Sequence, residues 1–211
     1  MLNDSDHFIA TNASDWHLNA RVGQQASYVD EMFIYSEGYH LAAGCLVKDI
    51  IADNSVLTVD FLIYPIVFLY RHYLELQLKD ILSMAHGLLS HCDDSIEGHN
   101  LGTLWKTAQP LIDQCYETAG WGAADKSQYK IVSSLIQEFS DLDPNGEAAR
   151  YPRRKDGATL HFEHLPNINI RHFADVAARL GDSLQLYLDA IKYANELRLE
   201  GEAEMMWRYG P

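Results

Sequence analysis

Residues 61–80, FLIYPIVFLYRHYLELQLKD, carry an almost unbroken apolar run straight into an ionic stripe in which Arg71, Glu75 and Lys79 recur every four residues. Side chains four apart stack on one face of an α-helix, so Glu75 can pair with both cations while Leu74 and Leu78 point towards a core. The stripe, with His72 beside it, has two readings. It is either a buried polar device lining a cleft or a salt-bridged flank facing water or a subunit, and the flank is favoured because i,i+4 pairs commonly solvate a helix. Pro65 predicts a kink or a break, since proline removes a backbone donor and clashes with the preceding turn. The run from Phe61 to Tyr70 is about half of the roughly 20 residues a helix needs to cross a bilayer. A core helix is expected, with no membrane span.

Outward from this segment, apolar positions spaced by three and four dominate, and no run alternates as a strand would. An all-α fold follows: an up-and-down helical bundle of four to five long helices with one long irregular loop. The first helix is expected over 28–51, with Met32, Tyr35, Tyr39, Ala42 and Leu46 inward, and the second over 57–89. The third opens at Asn100, a natural N-cap, and buries Leu101, Leu104, Trp105, Ala108, Leu111, Ile112 and Cys115; Pro110 is expected to start a new helical turn after a short break. The fourth covers 125–139 around Tyr129, Val132, Leu135, Ile136 and Phe139. The last covers 169–199, with Phe173, Val176, Leu180, Leu184, Leu188 and Ile191 inward. This divides the chain into a polar N-terminal segment (1–27), the bundle (28–199) and a charged, then aromatic, C-terminal tail (200–211) that either frays or docks on a partner.

The chain has 211 residues, 47% of them hydrophobic and 22% charged, with a formal net charge of −14. That balance suits a single globular domain and opposes a broad electrostatic grip on nucleic acid or an anionic membrane, which both depend on clustered Lys and Arg. Cys45, Cys92 and Cys115 are odd in number and widely spaced, so they fit neither a disulfide framework nor paired zinc ligands. The N-terminus lacks the basic-then-apolar pattern of a secretory signal, and a cytoplasmic protein with reduced thiols is expected. No nucleophile elbow and no phosphate-cradling glycine loop is present. His161 and His164 form H-x-x-H without a partner pair, so no metal and no cofactor is expected.

One segment breaks the acidic pattern. Residues 150–172, RYPRRKDGATLHFEHLPNINIRH, gather Arg150, Arg153, Arg154, Lys155 and Arg171 with His161, His164 and His172 inside the long irregular stretch 140–167. Arginine forks suit phosphate oxygens, and histidine exchanges protons near neutral pH, so the chemistry indicated is phosphodiester recognition or cleavage. Alternatively these cations neutralise the protein's own acidic surface.

Three stretches together resemble HEPN-like helical proteins: YRHYLELQLKDIL (70–82), GHNLGTLW (98–105) and FSDLDPNGEAARYPRRKDG (139–157), ahead of a final long helix. The resemblance spans about residues 57–191. It implies a helical bundle that forms a homodimer and serves in a toxin–antitoxin or antiviral-defence setting. It also implies, for catalytic members, metal-independent RNA cleavage by an Arg-x4–6-His pair. Arg154 and His161, with six residues between them, match that spacing, although they fall in a loop holding Gly157 rather than at a helix edge. Arg150, Arg153, Lys155, Arg171 and His172 would then contact phosphate. The leading expectation is a nucleic-acid- or nucleotide-associated interaction module. The alternatives are an active metal-independent endoribonuclease using Arg154 and His161, and an acidic structural subunit that binds a basic protein partner.

Overall fold

Four side-chain caps set where the helices begin. The computed structural model describes residues 17, 20, 31–53, 55–90, 96–157, 159, 161–162, 165 and 167–210, with only the backbone at 209. Tyr28, Cys92, His164 and nearly all of the 1–27 segment therefore lie outside the described residues. Residues 32–211 form one compact unit. Five helices follow in order: α1 (Glu31–Asp53), α2 (Val56–Leu89), α3 (Leu101–Thr118), α4 (Lys126–Leu142) and α5 (Ile170–Tyr209). Ser55, Asn100, Asp125 and Asn169 each accept a backbone N–H from the first turn of α2, α3, α4 and α5, satisfying donors that the helix itself cannot pair. The fold is an all-α helical bundle, and among the described residues no helix is long and apolar enough to cross a membrane.

α2 is the central rod. It packs most broadly on α5 and then on α3, while α4 covers α3. Leu74 and Leu78 are fully buried, and all seven expected residues of the α3 stripe are buried. Trp105, Tyr129 and Tyr187 join α3, α4 and α5 in one aromatic group, with ring centroids 5.5–6.0 Å apart. The indole N–H of Trp105 donates to Ser133 Oγ at 2.8 Å, so the polar edge of this large ring is not left unpaired. α4 and α5 run antiparallel, because Tyr129 meets Tyr187 while Phe139 meets Phe173.

Several expectations are corrected. α1 buries Ser36, Ala43, Val47 and Ile50, whereas Tyr35 and Ala42 are exposed. Its apolar residues occur all round the helix, so the pattern could not choose one face. α2 runs unbroken through Pro65, and α3 through Pro110. Phe61 and Lys106, the residues whose carbonyls lose a helical donor to these prolines, are both exposed, so water can replace the missing bond. α5 continues past Leu199 to Tyr209, and the expected tail is helical. Arg198 pairs with Glu202 and Arg208 with Glu204 along that extension.

The α2–α5 crossing depends on one glycine. A Cβ on Gly181 would overlap the ring of Tyr73, and Gln77 donates to the Gly181 carbonyl at 3.2 Å. Tyr73 cannot retreat freely, because His40 of α1 stacks on its other side at 4.6 Å. Gly181→Ala is therefore expected to cost about 1–3 kcal/mol by overpacking, read as a lower urea midpoint at unchanged slope. An unchanged midpoint would show that the two helices do not meet this closely.

Candidate functional site

The i,i+4 spacing on α2 brings Arg71 and Glu75 together, and the packing of α2 buries both: Arg71 is 3% exposed and Glu75 2%. The favoured expectation of a solvent-facing flank is thus corrected. Arg71 spends its fork on three segments. Nη1 donates to Glu75 Oε2 at 2.9 Å, Nη2 to the His99 carbonyl at 2.5 Å, and Nε to the Asp143 carbonyl at 3.2 Å. The Asp143 carboxylate, 1% exposed, places Oδ2 3.7 Å from Nε and accepts the Ala148 N–H on Oδ1.

Gly146 closes the other side of the guanidinium. Its φ is +71°, and a Cβ there would stand 2.9 Å from Arg71 Nη1 and 3.0 Å from Cζ. Only glycine satisfies both the left-handed backbone and the close approach. The start of α3 and the end of α4 also bond directly to one another: the capping Asn100 Nδ2 donates to the Pro144 carbonyl in the turn after α4, and the Gly102 N–H in the first turn of α3 to Ser140 Oγ in the last turn of α4.

Glu75 is the anionic centre. Its Oε1 receives Lys79 Nζ at 3.0 Å and His99 Nδ1 at 2.8 Å, while His72 Nδ1 stands 4.0 Å from Oε2. Burial alone would raise its pKa, but the bonds from His99, Lys79 and Arg71 outweigh burial and hold the carboxyl below its ordinary value. Burial is also the largest cause of the lowered pKa of His72; Glu75 opposes it, and the nearby cations reinforce it. His99 differs from both, because its side chain is 71% exposed while Nδ1 is held from below.

Beside this buried knot lies a half-buried ladder of rings and cations that opens to solvent at Arg150 and Tyr151. Phe68, His72 and Lys79 share one face of α2. Phe68 and His72 stack with centroids 5.9 Å apart, Tyr39 of α1 meets His72 edge-on at 4.4 Å, and the Arg150 guanidinium lies 5.8 Å over Phe68 and 5.6 Å over Tyr151. Arg150 is fixed from behind by an Nε–H bond to the Gly146 carbonyl at 2.6 Å. Its position therefore depends on the same turn that holds Arg71.

The basic segment is divided by this geometry. Arg150 joins the ladder, whereas Lys155 pairs with Glu147 at 3.0 Å. Arg153 and Arg171 are exposed. Arg154 and His172 line a cavity between α4 and α5. His161 does not line it, its Nε2 is buried without a hydrogen bond, and no side-chain bond joins it to Arg154. Backbone bonds run from Arg154 N to Thr159 O and from His161 N to Pro152 O. Sequence reasoning missed His99, Asp143, Gly146 and Phe68 as site residues, although His99 and the Asp143–Gly146 turn stand inside the quoted stretches. Cys45 is free and exposed; Cys115 is free and buried, its thiol pushed up to about 11 by burial. Among the described residues no group of His, Cys, Asp and Glu is arranged to hold a metal ion.

Because both shifts are downward, the unfolded chain binds more protons than the folded one in acid. Stability should be full above the ordinary histidine value of 6.5, decline first as His72 protonates, and fall further below 4.5 as pH passes through the depressed pKa of Glu75. Urea midpoints measured from pH 7 to pH 3 are expected to fall less steeply below 4.5 in Glu75→Gln than in the wild type. Identical slopes would show that Glu75 is not held ionised by the fold.

No family model, curated protein or solved structure matches the chain, and its functional reading rests on these residues.

Proposed function

We propose that this HEPN-like helical protein is an interaction module for single-stranded nucleic acid or a nucleotide, bound along the ladder from Tyr151 and Arg150 through Phe68 and His72 to His99 and Lys79. The observation that carries this reading is the alternation of aromatic faces and cations on one surface of a chain whose net charge is −14. Sequence-tolerant binding of single strands uses that combination: bases stack on rings, and cations track the phosphates. The ladder follows α2 from residue 68 to 79, about 16 Å at 1.5 Å per residue. The local cations matter because the acidic remainder repels a polyanion, so binding should be confined to this face and weakened by salt.

A second reading, metal-independent RNA cleavage, is favoured by His99. An ionised Glu75 can only accept, so His99 Nδ1 donates to it, which leaves Nε2 as the ring nitrogen that can exchange a proton with a bound group. In such a reaction Nε2 takes the proton of a ribose 2′-hydroxyl as that oxygen attacks the adjacent phosphorus. The 5′-oxygen then leaves and takes a proton from water. Under this reading His99 takes the place that the Arg-x4–6-His spacing gave to His161.

One experiment addresses both readings. Labelled single-stranded RNA is incubated with EDTA and the wild type, Phe68→Ala, Arg150→Ala, His99→Ala or His161→Ala, with anisotropy and gel readouts. Phe68→Ala and Arg150→Ala are each expected to weaken binding about tenfold, in line with roughly 1–3 kcal/mol per stacked base. Wild-type affinity in both variants would remove the ladder from the account. Cleavage that disappears in His99→Ala and persists in His161→Ala would support the catalytic reading; the reverse would return it to the Arg154–His161 pair.

A further inference from the structure

We propose that the cavity between α4, the start of α5 and residues 154, 159, 162, 165 and 167–169 is a separate binding site for a small molecule with an apolar body and a single anionic group. This inference does not depend on the nucleic-acid reading, since it uses none of the ladder residues.

The cavity volume is about 760 Å³, within the roughly 300–1,000 Å³ typical of small-molecule pockets. Its floor is built from Leu135 and Phe139 of α4 and from Phe173, Val176 and Leu180 of α5. Phe162 also lines it, with φ +60° and its ring 6.2 Å from that of Tyr64 of α2. A left-handed backbone is uncommon for an aromatic residue, and it persists only where its surroundings hold it. Here it places the Phe162 ring on the wall of the cavity, adding apolar surface opposite α4 and α5.

The rim carries the charge that selects the ligand. Arg154 and His172 both line the cavity, and the Arg154 guanidinium makes no ion pair among the described residues. His172 sits in the first turn of α5, where the helix dipole adds positive potential. Together they suit one carboxylate, sulfonate or similar group. Glu138 and Asp141 stand on the same rim, and Asp141 is held there by Gln137 at 2.8 Å. Two carboxylates on the same rim as a single guanidinium repel a multiply charged anion, so a monoanion with an apolar tail is favoured over a nucleotide.

The test uses the full chain and 8-anilinonaphthalene-1-sulfonate, an aromatic monoanion whose fluorescence rises on burial. Saturable binding is expected, with displacement by decanoate and little displacement by decyltrimethylammonium or AMP. Arg154→Glu, at an exposed position, should weaken binding tenfold or more with helicity unchanged, and Val176→Trp should abolish it by filling the floor. Absence of saturable binding would overturn the proposal. So would unchanged affinity in Arg154→Glu, or displacement by the cation or AMP as effective as by decanoate.

Discussion

The buried guanidinium of Arg71 is the interaction on which the rest of the site depends. An arginine taken out of water is costly unless every face of its fork is answered. Here Glu75 answers from its own helix, and the His99 and Asp143 carbonyls answer from two loops far away in sequence. The charge also cannot leave by deprotonation, since arginine stays protonated at any ordinary pH. The two loops are therefore held in place by a partner that has no cheaper arrangement.

That constraint reaches the surface by short steps. The turn that supplies the Asp143 carbonyl also supplies Gly146, and the Gly146 carbonyl fixes Arg150 over Phe68. The loop that supplies the His99 carbonyl also presents the His99 ring to Glu75. One buried cation thus helps to position both the Arg150 guanidinium and the His99 ring. Tyr70, next to Arg71 in α2, meets Phe173 edge-on at 6.0 Å, and Phe173 meets Phe139, so the helix that carries the knot packs directly against two rings that line the cavity.

How much of this was legible in the sequence varied from element to element for physical reasons. α3 could be read in full because its apolar residues keep to one stripe opposite a polar face. α1 could not, because Phe33, Tyr35 and Leu41 are as apolar as the residues it buries. The Arg71–Glu75–Lys79 pairing was visible as spacing, but the depth of Arg71 and Glu75 was not. That depth comes from His99, Asp143 and Gly146, which no local pattern links to α2. The Arg154–His161 spacing was legible as a pattern, but no side-chain bond links the two among the described residues: Arg154 lines the α4–α5 cavity, and His161 Nε2 is buried without a hydrogen bond. Arg150 stood in the same basic run, and only the turn at Gly146 delivers it to a different site.

The most direct measurement is amide hydrogen exchange on the wild type and Arg71→Met. If the guanidinium holds the two loops, protection at Gly102 and Ala148, whose N–H groups bond to Ser140 and Asp143, should fall about tenfold or more while the amides of Leu74, Ile112 and Leu184 keep theirs. Equal protection in both proteins at Gly102 and Ala148 would contradict the account, because the loops would then be held by something other than Arg71.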